Sequence, residues 1–168
     1  MGQITINYRE TDYSGLLAEQ RAVLDAAERV MPNSHSIYSR FSVGAAVETA
    51  IDGKVIPGVN VENSAYGNVG CAEGTAIRNA VTQGYKSFRR LAVIGKGKNP
   101  DETEVVGPCG RCRQDLIEFY QLSGVNTEVI MSTANKGRII ITSIDDLLPF
   151  PFGPKNLGID TTQFRSSH

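Results

Sequence analysis

Three cysteines constrain this chain more strongly than any other feature. Cys109 and Cys112 form a C-x-x-C pair at the start of one predicted helix, and Cys71 opens the predicted helix that precedes it. An odd number of cysteines argues against a framework of disulfides. A C-x-x-C pair by itself is compatible with a redox pair, with half of a zinc site or with chance, and scattered cysteines are often buried, inert thiols.

The spacing of the cysteines favours a metal site. Two thiols three positions apart on the first turn of a helix face the same side, as two ligands of one tetrahedral metal ion must. Cys71 is the only cysteine left to supply a third ligand. Three protein ligands and an open fourth position are typical of catalytic zinc, whereas structural zinc takes four. We therefore predict one Zn²⁺, with the N-terminal N–H groups of both helices offsetting part of the thiolate charge.

Glu73 is the candidate acid–base group beside this metal. In a regular helix, residues i and i+2 diverge by about 200°. Cys71 and Glu73 can therefore share a site only if Cys71 lies at the helix cap, outside regular helical geometry, and the predicted helix start permits this. The alternative is a glutamate that the helix dipole favours in the first turn.

The hydrophobic pattern predicts alternating strands and helices. Predicted helices occupy 14–30, 71–84, 109–122 and about 144–148, and Ser14 is the predicted N-cap of the first. Predicted strands occupy 41–49, 54–61, 91–95, 129–131 and 138–142. This order predicts an α/β three-layer sandwich, with a mixed five-stranded sheet and helices on both faces. The polar segment 96–108 is expected to be an exposed loop.

The composition of the chain indicates how many domains it forms and which kinds of partner it is expected to bind. The 168 residues, 40% of them apolar, are enough for a single domain over 1–168 with its core at about 14–157. A net charge of −1 argues against a nucleic-acid partner, because such proteins usually carry a basic stripe. No segment approaches the roughly 18 apolar residues that cross a membrane, and the N-terminus does not resemble a signal peptide. We therefore expect a cytoplasmic protein that does not bind membranes.

Five short motifs resemble those of the small cytidine deaminases. They are Y-S-R-F-S-V-G-A-A at 38–46, G-V-N-V-E-N at 58–63, C-A-E at 71–73, P-C-G-R-C-R-Q at 108–114 and L-L-P-F-P-F-G-P at 147–154. The C-A-E and P-C-x-x-C elements resemble the zinc deaminase signature, with Cys in place of His as the first ligand. The resemblance implies the cytidine deaminase fold with five strands, hydrolytic deamination of cytidine or deoxycytidine with release of ammonia, and a homotetramer with one zinc per subunit.

The resemblance also implies roles for individual residues. It assigns zinc to Cys71, Cys109 and Cys112, proton transfer to Glu73, the ribose hydroxyls to Asn60 and Glu62, the pyrimidine side of the pocket to Phe41 and Ala72, and a neighbouring subunit's site to Phe152. Without it, Asn60 and Glu62 are also compatible with polar residues at a strand end, and Phe41 is better interpreted as a core aromatic.

Two positions depart from the family pattern. Many tetrameric members carry Arg after C-A-E, where this chain has Gly74, and many carry Ala where this chain has Arg111. Blasticidin S deaminases resemble this chain at both positions. We predict that Arg111 compensates the thiolate charge, the alternative being an exposed helix arginine.

Two other functions therefore stay open. The first is deamination of a modified or antibiotic cytosine nucleoside such as blasticidin S. The second is a catalytically weakened, zinc-stabilised nucleoside-binding domain, for which Gly74 is the motivation. The sugar motif N-V-E-N at 60–63, together with Tyr66, resembles ordinary cytidine deaminases and favours cytidine and deoxycytidine as substrates over blasticidin S.

Overall fold

The computed structural model describes residues 1–98 and 103–165. The strands are β1 (Tyr8–Thr11), β2 (Ser42–Thr49), β3 (Val55–Val59), β4 (Phe88–Lys96), β5 (Glu128–Ser132) and β6 (Ile139–Ser143). The α-helices are α1 (Ala18–Val30), α2 (Ala72–Thr82), α3 (Gly110–Ser123) and α4 (Ile144–Leu147). The predicted strands and helices are thus present, with ends that differ by a few residues.

All strands join one mixed sheet in the order β1-β6-β5-β4-β2-β3. Only β4 and β5 are parallel, and α3 lies in the crossover that parallel neighbours require. The other neighbours are antiparallel, and β2 and β3 form a hairpin. The predicted α/β class and mixed sheet are therefore confirmed.

Helices cover both faces of the sheet because its central strands are apolar on both sides. Ala46 of β2 and Ile94 of β4 belong to a core with α1, whereas Ala45 and Val93 on the same strands belong to a core with α2 and α3. This alternation is the period of two expected of strands. The prediction of helices on both faces is confirmed.

The prediction of five strands is wrong, because β1 adds a sixth. This strand pairs antiparallel with β6, with Tyr8 opposite Thr142. Thr142 Oγ1 also donates a hydrogen bond of 2.6 Å to the carbonyl of Asn7. The strand forms an edge of the sheet and is mostly exposed, so it lacks the apolar alternation by which a strand is read from sequence.

The first helix starts later than predicted, and Ser14 is not its N-cap. Asp12 caps a short 3₁₀ turn instead, accepting hydrogen bonds from the backbone N–H groups of Ser14 at 2.8 Å and Gly15 at 3.2 Å. The α-helix then begins at Ala18. The Ser14 hydroxyl instead donates to the Asp12 carboxylate at 2.6 Å, and the N-cap residue of the helix is Leu17.

The segment 96–108 is only partly the exposed loop that its polarity predicts. Residues 99–102 lie outside the described part of the chain. Thr103 and Glu104 are exposed, but Val106 is half-buried and hydrogen-bonds through its backbone to Ser132, and Pro108 is buried. Across 1–98 and 103–165, the helices are all too short or too polar to cross a bilayer.

Candidate metal centre and substrate pocket

Cys71 and Cys109 are the N-cap residues of α2 and α3. Both have extended backbones, with φ/ψ of −72/152° and −66/169°. Their carbonyl oxygens accept the first hydrogen bonds of their helices, from the N–H of Thr75 and of Arg113, each at 3.0 Å. Neither thiol caps its own helix, so both are free to bind a metal. The predicted position of Cys71 at the helix cap is confirmed.

The three sulfur atoms have the spacing of ligands around one zinc ion. Cys109 Sγ lies 3.7 Å from Cys71 Sγ and 3.6 Å from Cys112 Sγ, and all three sulfurs lie within 4.8 Å of one another. Tetrahedral Zn–S bonds of about 2.3 Å place sulfurs about 3.8 Å apart. The donor set therefore fits zinc with three protein ligands, and two of these residues, Cys71 and Cys109, line the pocket described below.

Hydrogen bonds within the cluster shift the pKa values of Cys71 and Cys112 in opposite directions. Cys71 and Cys109 lie at the N-termini of α2 and α3, where the free N–H groups of a helix favour thiolates. A hydrogen bond with Cys112 lowers the pKa of Cys71 to about 6, and the positive charge of Arg111 acts in the same direction. The same hydrogen bond and burial raise the pKa of Cys112. Cys71 therefore ionises before Cys112.

Glu73 is a buried carboxyl on the first turn of α2, with 4% of its surface exposed. Burial raises the pKa of Glu73 to about 7, and the negative charge of Cys71 adds to this. Hydrogen bonds from its own backbone and from the Cys112 thiol act in the opposite direction and are weaker. A carboxyl of this kind can both accept and release a proton near neutral pH.

A cavity of about 220 Å³ opens beside the thiols and Glu73. Its walls are Val43, Asn60, Glu62, Val69, Gly70, Cys71, Ala72, Glu73, Val106, Gly107 and Cys109. The structure thus brings Asn60, Glu62 and Ala72 to the metal centre, as the sequence predicts for a shared site. Sequence reasoning missed the wall formed by Val69, Gly70, Val106 and Gly107. The apolar pair at 105–106, inside an otherwise polar segment, was the one available signal.

Asn60 and Glu62 follow β3 and hold the segment that leads into β2. Asn60 Nδ2 donates to the carbonyl of Phe41 at 2.9 Å, and its Oδ1 accepts from the N–H of Val43 at 2.8 Å. Glu62 accepts hydrogen bonds from the N–H groups of Tyr38 at 2.8 Å and Ser39 at 3.2 Å. Each side chain keeps part of its hydrogen-bonding capacity for a ligand in the cavity.

Phe41 lies behind the cavity wall and is not among the described residues that line it. Its ring covers Gly95 of β4, where a Cβ would stand 2.8 Å from Phe41 Cε1 and 3.0 Å from Val106 Cγ2. Phe41 therefore packs against the same segment as Val106 and supports that side of the pocket.

Phe152 and Tyr66 are exposed, and neither is among the described residues that line this cavity. The carbonyl of Phe152 accepts a hydrogen bond of 2.9 Å from Gln114 Nε2, which attaches the C-terminal segment to α3. Tyr66 meets Tyr38 edge to face, with ring centroids 6.4 Å apart.

Two arginines lie near the cysteine helices. Arg111 Nη1 donates to the carbonyl of Val69 at 3.4 Å, which links α3 to the cavity wall. The guanidinium of Arg78, one turn further along α2, folds over Gly74: a Cβ at position 74 would lie 2.6 Å from Arg78 Nη1. Arg78 also pairs with Asp115 of α3 at 3.8 Å. A side chain at position 74 would compete with Arg78 for this space.

Together, the fold and the site define a class: an α/β protein with three cysteines spaced to hold one zinc ion, beside a cavity that two polar side chains help to line.

Comparison with known proteins identifies the family. Residues 17–129 match the family model described as the cytidine and deoxycytidylate deaminase zinc-binding region, which spans all three cysteines. The chain belongs to this family of zinc-binding deaminases, so the resemblance read from the motifs, and zinc as the cofactor, are confirmed.

Individual relatives agree with this assignment. The chain is 39% identical over 139 residues to the probable cytidine deaminase of Dictyostelium discoideum, covering 83% of this chain and 87% of that relative. The crystal structure of cytidine deaminase from Burkholderia pseudomallei matches with a TM-score of 0.69 and 39% identity, over 78% of this chain and 97% of that one. The blasticidin-S deaminase of Bacillus cereus is 30% identical over 118 residues, covering 68% of this chain and 79% of the relative.

Proposed function

We propose that this protein is a cytidine deaminase, which hydrolyses cytidine and deoxycytidine to uridine and deoxyuridine and releases ammonia. One observation carries the proposal: three thiols spaced for zinc, a buried glutamate and the Asn60–Glu62 pair meet in one cavity. Family membership and relatives named as cytidine deaminases over most of the chain support it.

Zinc is held by Cys71, Cys109 and Cys112. When bound, it supplies positive charge that acidifies water and makes it a nucleophile near neutral pH. Since Cys71 and Cys109 come from different helices, the metal also joins α2 to α3 beside the cavity.

Glu73 moves the protons. The oxygen of water bonds to C4 of the cytosine ring, and the bond from C4 to the exocyclic nitrogen breaks. Glu73 takes one proton from the water and delivers it to N3, then takes the second and delivers it to the leaving nitrogen, which departs as ammonia. A carboxyl whose pKa burial raises to about 7 suits both directions of transfer.

Asn60 and Glu62 bind the sugar. An amide can donate to a hydroxyl and a carboxylate can accept from one, so the pair recognises a ribose hydroxyl from both sides. Ala72, buried at the start of α2, forms the wall next to the base, and Phe41 supports the opposite side through Val106.

The proposed assembly is a homotetramer in which Phe152 completes a neighbouring subunit's site. The support is the exposure of Phe150 and Phe152, which are 88% and 61% accessible in the single chain. Light scattering on the purified protein measures this directly, and a monomeric mass with full activity would contradict it.

Arg111 is proposed to compensate the charge of three thiolates around one divalent ion, which would otherwise weaken its action on water. Its guanidinium contacts the cavity wall at Val69, and its charge lowers the pKa of Cys71. These two observations support Arg111 as a source of compensating charge in a chain that carries no side chain at position 74.

The assay is the loss of cytosine absorbance when purified, zinc-loaded protein is added to cytidine or deoxycytidine. Glu73→Gln should lower kcat by about 10²- to 10⁴-fold, the usual contribution of a general acid–base group. Glu19→Gln is a matched control, because Glu19 occupies the same second position of α1 but is exposed and far in sequence from the cysteines.

The same assay on blasticidin S tests the second candidate, which the Bacillus cereus relative and the Gly74–Arg111 pattern favour. Turnover of blasticidin S without turnover of cytidine would replace the proposal. Zinc-loaded protein that binds but turns over none of these nucleosides would be the weakened binding domain.

A further inference from the structure

The carboxylate of Glu62 is held by three donors from one short loop. Its Oε2 accepts from the N–H groups of Tyr38 and Ser39, and its Oε1 accepts from the Ser39 hydroxyl. Two carboxylate oxygens offer about four lone-pair positions, so one position on Oε1 is left for another donor. The Ser39 hydroxyl therefore determines which side of Oε1 faces the cavity.

The Ser39 hydroxyl has a fixed direction. Its oxygen accepts a hydrogen bond of 3.0 Å from the N–H of Phe41, so its own proton points to Glu62. The hydrogen bond from Ser39 is also the largest of the effects that lower the pKa of Glu62, which keeps the carboxylate charged.

The backbone around Ser39 is bent to make this contact. Arg40 has a φ of +57°, a left-handed conformation that is strained for a non-glycine residue. Its N–H bonds to the carbonyl of Ser36 at 2.9 Å and closes the turn. Such strain persists where surrounding contacts determine the conformation, and here Ser39 lies between Phe41 and Glu62.

We propose that Ser39 is a positioning residue that orients Glu62 for binding the nucleoside sugar. This inference rests on the proposed function, in which Glu62 binds a ribose hydroxyl. Ser39 acts through Glu62 and is not among the described residues that line the cavity, so its removal should weaken substrate binding and leave the chemical step alone.

The test is steady-state kinetics with cytidine. Ser39→Ala should raise KM about tenfold or more, as expected for loss of a hydrogen bond to a charged group, with kcat within about twofold. Ser39→Thr keeps a hydroxyl and should restore most of the affinity. Ser36→Ala is the matched control: it removes a hydroxyl from the same loop that contacts Ser34 and Ser42 and not Glu62.

Two further measurements separate positioning from a general structural role. In a Glu62→Ala background, Ser39→Ala should have no further effect on KM, because the two residues act as one unit. With 2′,3′-dideoxycytidine, Ser39→Ala should likewise leave KM unchanged. An equal rise in KM with this analogue, or an additive effect in the double variant, would overturn the proposal, as would an unchanged KM for cytidine.

Loss of the proposed function and loss of the Ser39 role give different results. If the unsubstituted protein does not deaminate cytidine, the proposed function is wrong and the inference falls with it. If that protein is active and Ser39→Ala has the same KM, only the role of Ser39 is wrong.

Discussion

Gly58 of β3 lies directly against the backbone of Ala72 at the start of α2. A Cβ at position 58 would stand 2.7 Å from the Ala72 carbonyl oxygen and 2.9 Å from the Ala76 Cα. The strand and the helix thus meet backbone to backbone. Since Cys71 and Glu73 flank Ala72, this contact sets the height of the metal centre above the sheet.

Gly58→Ala should therefore destabilise the protein by about 1–3 kcal/mol, because neither backbone can give way without moving the helix. Denaturant unfolding measures the change, and bound zinc per chain should fall with it. Gly67→Ala is the control, since nothing lies within 4 Å of a Cβ at position 67. Equal stability of the two variants would contradict the close packing.

Gly74→Ala should have the opposite effect. A Cβ there comes closest to the end of the flexible Arg78 side chain, which is 55% exposed, and makes an ordinary contact of 3.6 Å with the Asp115 carboxylate. Alanine is a better helix residue than glycine by about 1 kcal/mol. We expect a gain of about 0.5–1 kcal/mol in denaturant unfolding and the same gain in an Arg78→Ala background. A loss of stability would show that the Arg78–Asp115 pair matters more than helix propensity.

Arg111→Ala should weaken zinc binding about fivefold, which corresponds to an exposed interaction of about 1 kcal/mol. Competition with a chromophoric chelator measures the affinity independently of catalysis. Arg111→Lys keeps the charge and should bind zinc nearly normally. The difference in zinc affinity between Arg111→Ala and the unsubstituted protein should shrink at high salt. Unchanged zinc affinity in Arg111→Ala would identify Arg111 as an ordinary exposed helix residue.

The hydrogen bonds of Asp52 predict how the stability of the protein depends on pH. Hydrogen bonds from Thr49, from Tyr85 and from the Lys54 backbone lower the pKa of Asp52 from 3.8 to about 2. The stabilisation from this carboxylate is thus present above pH 3.8 and is lost as the pH falls toward 2. Carbon-detected NMR titration of the Asp52 carboxyl should give this value, and Tyr85→Phe should raise it. An ordinary pKa in the unsubstituted protein would contradict these hydrogen bonds.

The metal ligands could be predicted because they depend on local rules. The start of a helix is marked by nearby residues, and thiols three positions apart must share a face. Cys109 and Cys112 follow directly from these rules. Cys71 required one more step, the assignment of the last cysteine to the same metal, and the structure confirms its place at the N-cap of α2.

The sixth strand and part of the pocket wall could not be predicted because they depend on distant pairing. Tyr8–Thr11 is a strand only because β6 offers an edge. Val106 and Gly70 reach the cavity through isolated backbone pairs with Ser132 and Val61, which no local periodicity records. The family resemblance supplied the identity of Asn60 and Glu62, whose spacing alone is equally typical of a strand end.

The division of the zinc ligands between α2 and α3 affects how the protein is made. A nascent chain that has left the ribosome only as far as α2 carries one ligand, and a lone thiol holds zinc weakly. The full set comes together only when the N-termini of both helices lie side by side, so metal binding is coupled to folding. Removal of zinc by a chelator should therefore lower the stability of the folded chain.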